Sequence, residues 1–269
     1  MSRIAALAVA LLLGIATAQA RELRVCADPN NLPFSNDKGE GFENKIVALI
    51  AKDEGASVKY TWWAQRRGFV RHTLRAKECD FWPGIATGVD FVATTKPYYR
   101  STYVFVTRKD RDLDISSFDD PRLRKLTIGV QMIGNDAMNP PPAHALARRG
   151  IIDNVRGYML YGDYRRPNPP EAILEAVAKG DIDVAVVWGP LAGYFAGREA
   201  VPLRVTPVSP PFDGPHFPMA FDIAMGVRKG DAALRREIDA ELARNHEQIA
   251  AILAAYHTPL VPAPADASR

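Results

Sequence analysis

The pattern of apolar and polar residues alternates between short apolar runs and amphipathic stretches. An apolar run at Leu23 to Ala27 predicts a strand, and helical spacing of apolar residues predicts a helix at Phe42 to Glu54. The alternation continues with a strand at Ser57 to Trp63, a helix at Phe69 to Lys77 and a strand at Asp80 to Trp82. Strands that alternate with helices in this way predict right-handed crossovers and a parallel sheet in the order 2-1-3.

A second copy of the same pattern begins at residue 126. Its predicted elements are a strand at Leu126 to Gln131, a helical stretch at Ala143 to Arg149, a strand at Val155 to Leu160, a helix at Pro170 to Lys179 and a strand at Ile182 to Trp188. Each copy ends with a Trp beside Pro and Gly. Because the carboxyl ends of strands face the ligand crevice in open α/β sheets, Trp82 and Trp188 are predicted to lie at a cleft. The alternative is that each Trp caps a core.

These elements predict an α/β protein with two lobes, each with a parallel-dominated sheet flanked by helices. Extended segments at Tyr103 to Arg108 and Ile223 to Val227 are predicted to connect the lobes as a double hinge crossover. An amphipathic helix at Asp231 to Tyr256 is predicted to pack back on the first lobe. The expected boundaries are residues 21–107 and 213–258 for the first lobe, 108–212 for the second and 259–269 for a C-terminal tail.

The first twenty residues have the features of a cleaved secretory signal peptide. Arg3 supplies a positive charge, Ile4 to Ile15 is an apolar run, and Ala18-Gln19-Ala20 fits a cleavage site. The apolar run is shorter than the roughly 20 residues that a spanning helix needs, so membrane insertion is not predicted. We expect an exported, periplasmic chain that begins at Arg21.

Composition and charge narrow the possible partners. The chain is 47% hydrophobic, which is typical of a folded protein. Its 34 Lys and Arg residues exceed its 31 Asp and Glu residues by only three, and they are scattered along the chain. This charge pattern does not predict nucleic-acid binding.

Two cysteines follow the predicted signal peptide, Cys26 and Cys79. They are either redox-active thiols or a structural disulfide, for which export provides suitable conditions. In a sheet ordered 2-1-3, the first and third strands are neighbours, and a disulfide between these residues is then favoured.

Several stretches resemble the type II periplasmic solute-binding proteins, and within them the J-type accessory proteins of pyrroloquinoline-quinone (PQQ)-dependent methanol dehydrogenases. The resemblance covers nearly all of the chain after residue 20. The sequences that carry it include "LRVCADPNNLPFS", "GFENKIVALIAKDEG", "YTWWAQRRGFVRHTL", "CDFWPGIATG", "PYYRSTYVFVTR", "NPPPAHALARRGI", "YGDY" and "VAVVWGPLAGYF".

The resemblance implies a non-catalytic periplasmic protein of methanol oxidation, without a cofactor of its own, that binds, matures or activates a PQQ-dependent methanol dehydrogenase. The lanthanide type of that enzyme is the favoured partner. The alternative is a solute-binding protein that delivers a small molecule other than an amino acid to a transporter. A periplasmic lyase on the same scaffold is a third hypothesis, but no acid-base pair supports it.

The sequence departs from the amino-acid binders of this class at two positions. No Arg stands between Thr87 and Lys96 to pair with a ligand carboxylate, and Trp188 stands where those binders place a carboxylate for the ligand ammonium group. A buried, unpaired ligand charge costs several kcal/mol, so tight binding of amino acids is not predicted.

The candidate cleft residues are aromatic, amide and charged side chains near the predicted strand ends. They are Asp28, Asn30, Asn31, Trp63, Trp82, Thr87, Tyr98, Tyr99, Arg100, Asn135 and Trp188. They predict a cleft for a small molecule or a peptide segment. The sequence contains no catalytic motif and no histidine or acidic set at metal-ligand spacing, so neither an enzyme nor a metal site is predicted.

Overall fold

The computed structural model describes residues 21–133, 139–161, 163–215 and 217–262. The strands are β1 Glu22–Ala27, β2 Asn30–Asn31, β3 Ser35–Asn36, β4 Ser57–Trp62, β5 Phe81–Ala86, β6 Ala93–Thr94, β7 Tyr99–Arg108, β8 Ile128–Met132, β9 Val155–Met159, β10 Val184–Trp188, β11 Leu203–Pro207 and β12 Ala220–Val227. The α-helices are α1 Phe42–Asp53, α2 Phe69–His72, α3 Pro141–Arg148, α4 Ala172–Lys179, α5 Gly189–Ala196, α6 Ala232–Arg244 and α7 His246–Ala255. The predicted signal peptide lies outside the described residues, and its cleavage stays a prediction.

The two copies of the sequence pattern form two groups of three parallel strands. In the first group β1 lies between β4 and β5, and in the second group β8 lies between β9 and β10. The predicted order 2-1-3 is therefore confirmed in the first group, and the second group repeats it. In both groups the two inner strands bury most of their apolar residues, whereas the outer strands β4 and β9 are only partly buried.

Two long antiparallel strands join the groups into one sheet of ten strands. Strand β12 pairs with β5 and with the first half of β7, where Ile223 is opposite Tyr99 and Ala220 is opposite Thr102. The second half of β7 pairs with β10 and β11, and Tyr103 is opposite Trp188. The predicted fold class, with two connecting extended segments, is confirmed. The division into lobes at residues 107 and 213 stays a prediction.

Two predicted elements have different bounds in the structure. Strand β5 continues past Trp82 through Pro83 and Gly84, because a bulge opposite β12 accommodates a proline that cannot donate a hydrogen bond. Helix α2 ends at His72 rather than at residue 77. The Thr73 hydroxyl donates a 2.7 Å hydrogen bond to the carbonyl of Phe69 and competes with the helical pattern.

The predicted C-terminal helix is two helices, α6 and α7. Asn245 separates them, because its side-chain amide donates to the carbonyl of Glu241 and its backbone leaves the helical conformation. Ile238, Leu242 and Leu253 nevertheless pack with helix α1 on the first strand group, as the apolar spacing predicts. The sequence pattern predicts no helix or strand at the positions of helix α5 and strand β11. None of the helices in the described ranges is both long and apolar enough to cross a membrane.

A disulfide joins Cys26 to Cys79, as the neighbouring strands predicted. Cys26 lies in β1, Cys79 lies two residues before β5, and both side chains are fully buried. Reactive thiols need solvent exposure, and neither cysteine has it, so the redox alternative is not supported. The bond closes a sequence separation of 53 residues.

We expect the double substitution Cys26→Ser and Cys79→Ser to lower the free energy of unfolding by about 4 kcal/mol, since the bond restricts a long loop in the unfolded chain. Guanidinium chloride unfolding followed by circular dichroism measures this change. Reduced wild-type protein is the control and should fall by a similar amount. A change below about 1 kcal/mol would contradict a stabilising role for the bond.

Candidate functional site

A large cavity of about 1120 Å³ is lined by residues of both strand groups. Its lining includes aromatic side chains, a row of arginines and one carboxylic acid. The residues that line it are Asn31, Phe34, Glu43, Gln65, Arg66, Arg67, Gly68, Phe69, Val70, Arg71, Arg75, Trp82, Gly84, Ile85, Ala86, Phe91, Tyr99, Tyr103, Gln131, Ile133, Leu160, Tyr161, Pro170, Trp188, Leu191, Phe221 and Ile223.

Three aromatic rings meet where strands β7 and β12 lie beside the second strand group. Trp188 ends β10, and its ring lies 5.2 Å from that of Tyr103 and 6.0 Å from that of Phe221, measured between centroids. All three pairs of rings meet edge to face, an arrangement that stabilises aromatic clusters. These rings give the cavity a preformed apolar wall.

Trp82 also lines the cavity, but it does so from the start of β5. The expectation that both tryptophans end their strands is therefore wrong for Trp82, because β5 runs on to Ala86. Its ring packs 4.9 Å from that of Phe69, at the beginning of α2. This contact joins strand β5 to the segment that carries the arginines.

Glu43 is a buried carboxylic acid in the cavity wall, and its side chain is 5% exposed. It lies in the first turn of α1 against Gly84, where any Cβ atom would collide with its carboxyl group. No group within the described ranges forms a hydrogen bond with that carboxyl. Burial, and secondarily the charge of Asp28, raise the pKa of Glu43 to about 8, so the group is largely protonated at neutral pH.

Four arginines line one side of the cavity within ten residues. Arg71 belongs to α2, Arg66 and Arg67 precede that helix, and Arg75 follows it. All four side chains are exposed. This side of the cavity therefore carries a strong positive charge, in contrast to the aromatic wall.

The two strand groups touch beside the cavity through Asp28 and Asn30. Tyr164 donates a hydrogen bond to the Asp28 carboxylate, which also accepts backbone N–H groups of Gln65 (2.6 Å) and Asn30 (2.8 Å). The Asn30 side chain donates to the carbonyl of Arg166 at 2.9 Å and accepts the backbone N–H of Asn168 at 3.2 Å. We call these bonds the cross-cleft contact.

Burial is the main reason that the pKa of Asp28 is raised, and the hydrogen bond from Tyr164 acts in the opposite direction. The polar groups of Asp28 and Asn30 are therefore engaged by the protein itself. Neither residue lines the cavity, in contrast to Asn31, whose amide donates to Gln65 at 3.1 Å.

Of the predicted cleft residues, Asn31, Trp82, Tyr99 and Trp188 come together around the cavity. Four others have different surroundings. Trp63 is 42% exposed and stacks on His72, and the Tyr98 hydroxyl donates a hydrogen bond to the carbonyl of Pro83. Asp222 is the partner of the other two: its carboxylate pairs with Arg100 at 2.8 Å, and its carbonyl accepts the backbone N–H of Thr87. Asn135 lies outside the described residues.

Sequence reasoning missed Glu43, the arginines and the partners of Trp188. Glu43 could have been noticed, because it is a charged residue beside Phe42 in the first turn of a helix whose face is otherwise apolar. Four arginines between positions 66 and 75 were visible as a local cluster, although the whole-chain charge concealed it. Phe221 had no such signal, because only the pairing of β12 with β7 brings it to Trp188.

The fold and the cleft define a binding protein of the periplasmic type. Residues 23–259 match the model of the bacterial extracellular solute-binding proteins, family 3, and the chain belongs to that family. Protein MoxJ of Methylorubrum extorquens is 37% identical over 253 residues, which cover 89% of this chain and 82% of that protein.

Two solved structures extend the similarity. The periplasmic binding protein XoxJ from Methylobacterium extorquens AM1 has a TM-score of 0.74 at 35% identity, covering 90% of this chain and all of that one. MxaJ from Methlophaga aminisulfidivorans MPT has a TM-score of 0.77 at 27% identity, covering 89% of this chain and all of that one. These relatives confirm the resemblance that the sequence motifs carry.

The acid in the cavity wall makes stability depend on pH. The pKa of Glu43 is raised in the folded chain from about 4.5 to about 8, so the unfolded chain releases this proton first as pH rises. Between pH 5 and pH 8, we expect the free energy of unfolding of the wild type to decrease more than that of Glu43→Gln. The difference between the two decreases should be on the order of 3 kcal/mol.

Urea unfolding of both proteins at a series of pH values measures the difference. The exposed Glu22→Gln is the control and should follow the wild type. Parallel curves for the wild type and Glu43→Gln would show that the folded protein does not hold this proton.

Proposed function

We propose that this chain is a non-catalytic periplasmic accessory protein that binds a segment of a PQQ-dependent methanol dehydrogenase in its cleft. The observation that carries the proposal is the size and lining of the cavity. At about 1120 Å³ it exceeds the roughly 300 to 1,000 Å³ of pockets that enclose small molecules. A peptide segment with apolar side chains suits such a space better than a single metabolite.

The relatives support the methanol-oxidation setting. MoxJ, XoxJ and MxaJ are similar along nearly the whole chain, and the motifs in the sequence resemble the J-type accessory proteins. The predicted signal peptide and the extracellular family support a periplasmic location. Following the resemblance, we take the lanthanide-type dehydrogenase as the partner.

The described residues support a binding role. Within those ranges no group of three or more His, Cys, Asp and Glu side chains is arranged to hold a metal ion. The aromatic wall of Tyr103, Trp188 and Phe221 offers the large, rigid, partly desolvated surface that dominates the energy of protein interfaces. The role that follows is to hold a segment of the enzyme during its maturation or activation.

Trp188→Ala should weaken dehydrogenase binding by about tenfold or more, because truncating a central aromatic anchor costs upwards of about 2 kcal/mol at an interface. Pull-down and interferometry with apo and metal-loaded dehydrogenase, in calcium and lanthanide forms, measure the affinity. Trp63→Ala is the matched control, since Trp63 stacks on His72 and does not line the cavity.

Equal binding by both variants, or no binding of any form of the dehydrogenase at micromolar concentration, would contradict the proposal. If no form of the dehydrogenase binds, native mass spectrometry of the purified protein tests the alternative hypothesis of a solute-binding protein. A small molecule bound in one-to-one ratio would identify a solute-binding protein.

A further inference from the structure

The arginines beside the cavity form a compact positive surface, which we name the arginine edge: Arg66, Arg67, Arg71 and Arg75. Arg71 belongs to helix α2, which is a single turn with tight turns on both sides, and the other three arginines flank that helix. Phe69 anchors this segment, because its buried ring packs on Trp82 of β5. The backbone that carries the four arginines is therefore held by the core beneath it.

The arginine edge has no acidic partners in the described part of the chain. None of its four guanidinium groups pairs with a carboxylate there, whereas Arg100, Arg148 and Arg228 each form at least one ion pair. Arg66 instead lies over the ring of Tyr164, 5.6 Å from its centroid, and Arg71 contacts the imidazole of His72. A lining of one sign of charge raises the local concentration of anions at such a surface.

Of the acids nearest the cavity, Asp28 interacts electrostatically with Arg66, whose charge acts to lower the pKa of Asp28. Glu43 lies in the wall, and its raised pKa of about 8 leaves it largely uncharged at neutral pH. The Asp28 carboxylate accepts hydrogen bonds from Tyr164 and from two backbone N–H groups, and it does not line the cavity. An occupant therefore meets a net positive field on one side.

The aromatic wall of the cavity has a different requirement. Trp188, Phe221 and Tyr103 present rings that favour contact with apolar or aromatic groups. An occupant that satisfies both sides carries acidic groups and apolar groups on one chain. The cavity volume is large enough for several such groups at once.

We propose that the cavity binds an acidic peptide segment, whose apolar side chains lie on the aromatic wall while its carboxylates pair with Arg66, Arg67, Arg71 and Arg75. This inference rests on the proposed function, because it specifies the chemistry of the dehydrogenase segment. Guanidinium groups suit the purpose, since each can bind a carboxylate through two parallel hydrogen bonds.

The test compares two double variants that each remove two positive charges. Arg71→Gln with Arg75→Gln alters the arginine edge, and Arg235→Gln with Arg236→Gln alters helix α6, which lies outside the cavity lining. Binding to the dehydrogenase is measured for the full mature chain at low and high salt. We expect the first variant to bind roughly tenfold more weakly and to lose about half of its salt dependence, since Arg66 and Arg67 remain, and the second to match the wild type.

A second measurement uses fluorescein-labelled octapeptides that alternate leucine and phenylalanine with either aspartate or asparagine. The aspartate peptide should bind the wild type several-fold more tightly than the asparagine peptide. Arg71→Gln with Arg75→Gln should reduce that difference, because only Arg66 and Arg67 then remain charged. Equal affinity for the two peptides overturns the inference. Tighter binding of a free aromatic dicarboxylate such as phthalate than of the aspartate peptide also overturns it.

The two proposals fail separately. If the dehydrogenase binds the wild type and both double variants equally, the accessory function stands and the arginine edge is not its binding surface. If no dehydrogenase binds but the aspartate peptide depends on Arg71 and Arg75, the inference about the ligand stands and the proposed partner is wrong.

Discussion

The pairing of strand β7 with both halves of the molecule is the interaction on which the cleft depends. Its first half bonds to β12 and its second half to β10 and β11, so one continuous strand belongs to both strand groups. The change of partner falls between Thr102 and Tyr103. The cavity opens at that point, because Tyr103, Trp188 and Phe221 meet where the two groups separate.

The elements that local sequence controls were predictable, and those that depend on long-range pairing were not. The parallel groups follow from apolar runs and helical spacing, and the strand order placed Cys26 beside Cys79. The ends of elements failed where a single side chain competes with the backbone pattern, as Thr73 does after α2 and Asn245 does between α6 and α7. Strand β11 has no strong pattern of its own and forms on the edge that β7 provides.

The candidate site shows the same division. Trp188 was predictable because it ends a strand that the pattern defines, and Asn31 because it follows the first strand. Asp28 and Asn30 also follow that strand, yet their polar groups bond to Tyr164, Arg166 and Asn168, more than a hundred residues away in the chain. Charge averaged over the chain hid the arginine edge, since most other arginines are paired with acids and contribute little to the local field.

The cross-cleft contact has a consequence for measured affinities. Any widening of the cleft separates Tyr164 from Asp28 and Asn30 from Arg166, so the hydrogen bonds between them favour the narrow form. An occupant that needs a wider cleft binds only the fraction of molecules in which these bonds are broken, and its apparent dissociation constant rises in inverse proportion to that fraction. Asp28 and Asn30, which do not belong to the aromatic wall, therefore raise the intrinsic affinity that a segment needs in order to be bound.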